Sequence, residues 1–279
     1  MSKIVWFQDI NPLSLGGGAQ LNDRGMITEG MKRGHDIIIM TPDLQDKIEL
    51  AKEDFFIYSN IATFDPGRLA AAGEKNRYAV FHHDWWFRCR WRLYFPLTEK
   101  CQLDCPQAPI WEPVLKKASL HIFLSPLHYQ LHKERFGESV EPHILVPSAV
   151  NPDKFFDFKK PDRKGTGSLN GLITFKGRAL HLEYAKQHPE ESITFGGAND
   201  RPQEPLPANC KFLGPVAEAN LLKFYNEFET YMEMPDTPQP FNRTVVEAYL
   251  SGCRIRSNAL LGAMSWPWMR TSREMVAQK

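Results

Sequence analysis

Short apolar runs punctuate this chain, separated by segments whose apolar residues recur at helical spacing. In the first half the runs are Ile4–Phe7, Ile37–Met40, Phe55–Tyr58, Ala79–Phe81, Leu120–Leu124 and Ile144–Val146. In the second half they are Leu172–Phe175, Ile193–Phe195, Lys211–Leu213, Tyr231–Met234 and Arg254–Ile255. Several are continuous rather than alternating and rich in Ile, Val and Phe, as expected of parallel strands covered on both faces. Helical patterns fall between them, over Gln20–Lys32, Leu44–Lys52, Pro126–Phe136, Ala179–His188 and Glu218–Phe228. Strand–helix alternation of this kind predicts doubly wound α/β sheets.

The chain has 279 residues, enough for two ordinary domains, and its 42% hydrophobic content suits a globular protein. A net charge of +1 creates no global field toward nucleic acid or an anionic membrane. No apolar run reaches the roughly 18 residues of a transmembrane span. Ser2-Lys3 leads directly into Ile4-Val5-Trp6-Phe7, which is not the layout of a signal peptide. The expectation is a cytoplasmic protein whose five cysteines stay reduced.

The densest chemical signal lies near the end, from Pro238 to Cys253, in the order Pro-Gln-Pro-Phe-Asn-Arg-Thr-Val-Val-Glu-Ala-Tyr-Leu-Ser-Gly-Cys. Tyr231-Met232-Glu233-Met234 leads in as a strand, Pro235 to Pro240 forms a breaker-rich loop, and a helix starts near Asn242 and stops at Gly252. Arg243 sits in the first turn, where the macrodipole disfavours a cation. Glu247 follows at i+4, but Arg before Glu is the weaker order for a helical ion pair. A cation at a helix start is better explained by an anion bound there. Phe175-Lys176-Gly177-Arg178 repeats the theme: a predicted strand ends at Phe175, a helix opens near Arg178, and two cations fall at the junction.

This layout resembles the nucleotide-sugar signature of GT-B glycosyltransferases, most like the retaining family 4. That signature has two glutamates with seven residues between them around a Phe-Gly turn, then Glu-Ala and a small-Gly-Cys ending. Glu247-Ala248 and Ser251-Gly252-Cys253 match its second half, while Gln239 stands at the first glutamate and Asn242 at the turn glycine. The resemblance implies two Rossmann-like doubly wound lobes with a cleft between them. Their expected bounds are 1–148 (acceptor side) and 149–264 (nucleotide-sugar side), with 265–279 as a closing helix returning to the first lobe. Val146-Pro147-Ser148-Ala149-Val150-Asn151-Pro152-Asp153 is the expected crossing.

It further implies transfer of a sugar from a UDP- or GDP-sugar to a glycan, lipid-linked or small-molecule acceptor, with retention of configuration. Lys176, Arg178, Arg243 and Thr244 would bind the donor diphosphate, and Glu247 the ribose. Gln239, His83 and Asp84 would flank the transferred sugar, and the Gly16-Gly17-Gly18 loop the acceptor side. Neither cofactor nor metal is expected: the sequence contains no Asp-x-Asp, the motif that holds a diphosphate through a metal in the other main glycosyltransferase fold. Fixed cations and helix N–H groups supply the same stabilisation of a leaving diphosphate.

Other readings of the same residues are possible. Gly16-Gly17-Gly18 opens a helix after the first strand, but Leu21 breaks a dinucleotide fingerprint, which weighs against an oxidoreductase. Phe81-His82-His83-Asp84-Trp85-Trp86 falls at a predicted strand end, where α/β sheets bind ligands; His83 is the better match, with His82 its competitor. The tryptophans there suit either sugar stacking or a local core. Arg88, Arg90 and Arg92 form a basic edge able to meet an anionic acceptor. Cys89, Cys101 and Cys105 match no standard zinc spacing. A sugar-nucleotide or glycan binder without activity, marked by Gln239, and a nucleotide-sugar epimerase-like protein remain as rivals.

Overall fold

A computed structural model describes residues 3–14, 17–44, 55–86 and 107–277. Gly16, the predicted Leu44–Lys52 helix beyond Leu44, Arg88, Arg90, Arg92, Cys89, Cys101 and Cys105 lie outside these residues. The chain forms two compact units, Met1–Ala149 and Val150–Lys279.

The first unit holds strands β1 (Lys3–Phe7), β2 (Asp36–Met40), β3 (Phe55–Tyr58), β4 (Tyr78–Phe81), β5 (Leu120–Phe123) and β6 (His143–Leu145). They form one parallel sheet in the order β2-β1-β3-β4-β5-β6. Its helices are α1 (Gly18–Lys32), α2 (Pro66–Lys75), α3 (Gln107–Lys116) and α4 (Pro126–Phe136). The second unit holds β7 (Thr166–Leu169), β8 (Ile193–Gly196), β9 (Cys210–Phe212), β10 (Thr230–Glu233) and β11 (Arg254–Ser257), parallel in the order β11-β10-β7-β8-β9. Its helices are α5 (Arg178–Gln187), α6 (Leu221–Glu227), α7 (Arg243–Leu250) and α8 (Arg273–Ala277). The apolar periodicity therefore placed ten of the eleven strands among the described residues within a residue or two of their bounds.

The exception is β7. The apolar run at Leu172–Phe175 predicts a strand, but the strand lies earlier, at Thr166-Gly167-Ser168-Leu169, where three of the four residues are small or polar rather than apolar. Packing explains the choice. All four residues are buried, and a Cβ on Gly167 would stand 2.5 Å from the ring of Phe228. Small residues are needed at the centre of this sheet because an aromatic ring already fills the space. Leu172 is buried beyond the strand end, whereas Phe175 turns outward in a 3-10 turn spanning Thr174–Lys176. The loop leading to α5 is consequently longer than the sequence reading allows. Helix α2 escapes the periodicity reading as well, although Asp65 caps it by accepting from Arg68 N at 2.8 Å, with Pro66 in the first turn.

The core of the first unit runs along one sheet face: Val5 and Phe7 of β1, Phe56 and Tyr58 of β3, Tyr78 and Val80 of β4, closed by Trp86, Trp111 and Leu115. Trp86 meets Trp111 edge-on at 4.8 Å, so these tryptophans are core rather than a sugar platform. In the second unit Leu172, Ala185, Ile193, Phe195 and Met232 form the centre. The closing segment packs on α7: Arg273 donates to Tyr249 O and Gly252 O, both at 2.8 Å.

Candidate functional site

Parallel sheets bind ligands beyond the carboxyl ends of their strands, where the chain reverses its direction of winding. In the second sheet that point lies between β7 and β10. The loops leaving these two strands carry Lys176 and the start of α7. In the first sheet the reversal lies between β1 and β3, beneath α1.

In the second unit the two loops are locked together by Gly177. It is left-handed, with φ 90°, and a Cβ there would lie 1.9 Å from Met234 O. Only glycine fits, for both reasons. Thr237 Oγ1 adds a bond to Phe175 O at 3.3 Å, and Met234 N donates to His181 Nε2 at 3.2 Å. This clasp holds half-buried Lys176 beside the end of β10. Among the described residues the Lys176 side chain makes no ion pair or hydrogen bond, yet its charge acts on the buried carboxyl of Glu233.

Arg178, two residues further on, is differently employed. Its Nη1 donates to Asn199 Oδ1 at 2.8 Å and Leu172 O at 3.2 Å, and its Nη2 lies 3.3 Å from Glu204. With 5% of its side chain exposed, the guanidinium is turned to the 199–204 segment. Of the two cations read at this junction, the geometry leaves Lys176 as the open one.

Helix α7 starts from Asn242, which is left-handed with φ 78°. Asparagine tolerates that conformation better than other non-glycine residues, so it serves where the signature has glycine. Asn242 Oδ1 accepts from Thr244 Oγ1 at 2.7 Å, and Thr244 accepts from Tyr231 OH at 2.9 Å. Arg243 lies over Glu247, with Nε 3.7 Å from Oε1. Glu247 Oε2 accepts from the buried Tyr225 hydroxyl at 2.9 Å. Burial raises the Glu247 carboxyl above the usual range against the opposing pull of Arg243, and burial likewise lowers Arg243. Gln239 is held by its backbone, which accepts from Gly262 N and donates to Leu260 O, and its amide reaches Thr237 O at 3.4 Å.

In the first unit His83 is buried and pairs with Asp23 of α1, Nε2 to Oδ1, at 2.8 Å. The other Asp23 oxygen accepts from Ser59 Oγ at 2.7 Å. The resemblance places His83 and its neighbour Asp84 together beside the transferred sugar. Asp84 Oδ1 instead accepts from Trp86 N at 2.8 Å, and the histidine's carboxylate partner comes from 60 residues earlier. Among the described residues His83 Nδ1 has no partner, nor have Gln8 Oε1 and Nε2, all buried. Ser59 N donates to Phe7 O, which sets Gln8 alongside Ser59 on the face opposite the aromatic core. Gly17 caps α1 in an extended conformation, and Gly18 is its first residue.

His82 belongs to another environment. Its Nε2 lies 3.0 Å from His121 Nδ1, and its ring sits 5.0 Å from His132 and 4.4 Å from Phe123. His132 in turn meets His128 at 4.5 Å and stacks on Trp85 at 4.9 Å. Burial pushes His121 down to about 4, His128 to about 3, and His82 well below the ordinary value, so these three are neutral near pH 7. Among the described residues no three His, Cys, Asp or Glu side chains gather as a metal site, and no helix is long and apolar enough to cross a membrane.

Asp23, Gln8 and Glu233 are the residues sequence reasoning missed. Asp23 and Gln8 carry no local motif. Glu233 is the single charged residue of an otherwise apolar strand run, a signal available beforehand.

No protein-family model matches this chain, and no curated protein does. Solved structures do. Sucrose-phosphate synthase from Thermosynechococcus elongatus superposes with a TM-score of 0.67 at 14% identity, over 94% of this chain and 82% of that one. HepE of Anabaena in complex with UDP-glucose gives 0.63 at 17%, over 95% and 82%. The catalytic domain of starch synthase IV from Arabidopsis thaliana, bound to ADP and acarbose, gives 0.63 at 10%, over 94% and 83%. The chain thus has the GT-B fold of these glycosyltransferases.

Proposed function

We propose that this protein is a glycosyltransferase that moves a sugar from a nucleoside diphosphate sugar to an acceptor hydroxyl, without a metal and with retention of configuration. The observation that carries the reading is the convergence at one topological switch point of Lys176, Arg243 and the α7 start, beside the buried Glu247. The ligands of the structural neighbours, UDP-glucose and ADP, are of the donor class such a site would hold. Retention rests on the family resemblance of the Gln239–Glu247 segment.

In the reaction the bond between the anomeric carbon and the diphosphate oxygen breaks. The electron pair leaves with the diphosphate, the acceptor oxygen bonds to the anomeric carbon, and its proton passes to an oxygen of the departing diphosphate. Lys176, Arg243 and the α7 amides stabilise the charge that develops on the leaving group. Thr244 anchors the helix start to Tyr231, and Glu247 accepts from the ribose hydroxyls. Arg178 holds the loop rather than the ligand. In the first unit His83, oriented by Asp23, and Gln8 offer unpaired polar atoms to sugar hydroxyls, with Gly17 and Gly18 alongside. An imidazole hydrogen-bonded to a carboxylate has its tautomer and ring angle set.

The test is release of free nucleotide from a panel of UDP-, GDP- and ADP-sugars, with thermal shifts against the bare nucleotides. Stabilisation by one nucleotide family, reduced in Lys176→Ala, is the expected result. No shift with any nucleotide overturns the reading. Gln239 favours one rival, a binder without activity. Nucleotide-dependent stabilisation with no turnover on any donor, with or without added acceptors, would select it.

A further inference from the structure

Glu233 ends β10 with 1% of its surface exposed. Elements on several sides face its carboxyl. On its own strand Tyr231 OH lies 3.5 Å from Oε2, although that hydroxyl is committed to Thr244. At the start of α7 the Asn242 side chain draws its carboxyl down, and from the β7–α5 loop Lys176 supplies the positive charge. From α5, His181 accepts Met234 N and is held neutral by burial; Glu247 of α7 adds negative charge around the shared neighbour Tyr231. The close approach of Gly177 to Met234 brings the loop that carries Lys176 against the end of β10.

An ionised carboxylate is a poor neighbour for a diphosphate, and a buried one has no water to screen it. In the empty site the charge of Lys176 compensates Glu233. A bound diphosphate takes over that lysine and adds negative charge nearby, so both changes favour the protonated acid. Burial already pushes this carboxyl up to about 7. Small changes around it therefore fall in the neutral range.

We infer that Glu233 takes up a proton when a nucleoside diphosphate binds, and that donor affinity is thereby coupled to pH. The inference rests on the donor-site reading above. The proton comes from solvent on binding and returns on release. Because the bound state holds the proton more tightly, affinity is highest at low pH and falls as pH rises through neutrality.

Calorimetric titration of the full chain with UDP, GDP and ADP, in buffers of different ionisation heat, measures the proton uptake. Near pH 7 the wild-type protein should take up about half a proton more than Glu233→Gln, a difference that cancels the titration of the nucleotide itself. Between about pH 6.5 and 8.5 wild-type affinity should fall roughly tenfold more than that of Glu233→Gln. Lys176→Met is the second probe, should the first variant not fold. Removing the lysine protonates Glu233 in the free protein, so residual binding should occur with reduced uptake. Nucleotide binding with equal uptake in wild type and Glu233→Gln, or undiminished uptake in Lys176→Met, overturns the inference and leaves the donor site standing. Absence of binding by all three nucleotides overturns the donor site and the inference with it.

Discussion

The two units share a parallel-sheet plan but are polarised in opposite ways. At the switch point of the first sheet the side chains are Gln8, Ser59 and the Asp23–His83 pair, backed by a cluster of neutral histidines. At that of the second they are Lys176 and Arg243 at a helix start, backed by buried carboxyls at Glu233 and Glu247. Hydrogen-bonding groups of low charge suit hydroxyls, whereas cations and helix N–H groups suit phosphate. One topology thus carries two kinds of side-chain chemistry, because the scaffold sets only where a site falls and the loop residues set its character.

The sharpest way to separate the units is acid. His82, His121 and His128 have folded-state values depressed by burial, so their contribution to stability is fully present above the unfolded value of 6.5. It is lost as pH falls from there toward about 4 for His121 and about 3 for His128. Each tenfold difference in proton affinity between the folded and unfolded chain is worth about 1.4 kcal/mol, so the loss should reach several kcal/mol. Tryptophan fluorescence from the Trp85 region should report unfolding of the first unit before the second, and simultaneous loss would contradict the contrast. Gly177→Ala attacks the second unit instead. Strain at a positive φ and the contact with Met234 O should cost about 3 kcal/mol or more, seen in chemical unfolding, with nucleotide binding lost alongside.

Smaller effects refine the picture. Lys176→Ala should weaken UDP binding by about 10–100-fold, roughly 1.4–3 kcal/mol, at unchanged melting temperature. Arg178→Met should do the reverse, lowering the melting temperature with little change in the affinity of the folded protein. If both variants lost affinity equally, Arg178 would belong to the ligand. In the first unit Asp23→Asn should lower kcat by about tenfold while nucleotide affinity stays within twofold, since the nucleotide is assigned to the other unit. The smallest change in nucleotide affinity is expected for Gln239→Glu, which should alter sugar preference or rate instead; equal losses in nucleotide binding and turnover would count against that role.

How much of this was legible beforehand varied by element. Helix α4 was read to the residue. Ser125 accepts from His128 N, Pro126 takes the first turn, and Gly137 ends the helix with φ 55°. These are local signals written within a dozen residues. The Asn242–Gly252 segment was legible for a similar reason, as its turn, cap and helix are contiguous. Strand β7 was not, because its small residues are dictated by Phe228, some 60 positions away.

The same division holds for the chemistry. The sequence alone determined the alternating α/β architecture and the cations at two helix starts, since periodicity and capping are properties of neighbouring residues. Tertiary structure alone decided that Lys176 stands open while Arg178 is enclosed, that His83 answers to Asp23 rather than Asp84, and that Glu233 faces Lys176. Each of those outcomes depends on strand register and side-chain packing between segments far apart in the chain, and no local pattern encodes which distant residue will arrive there.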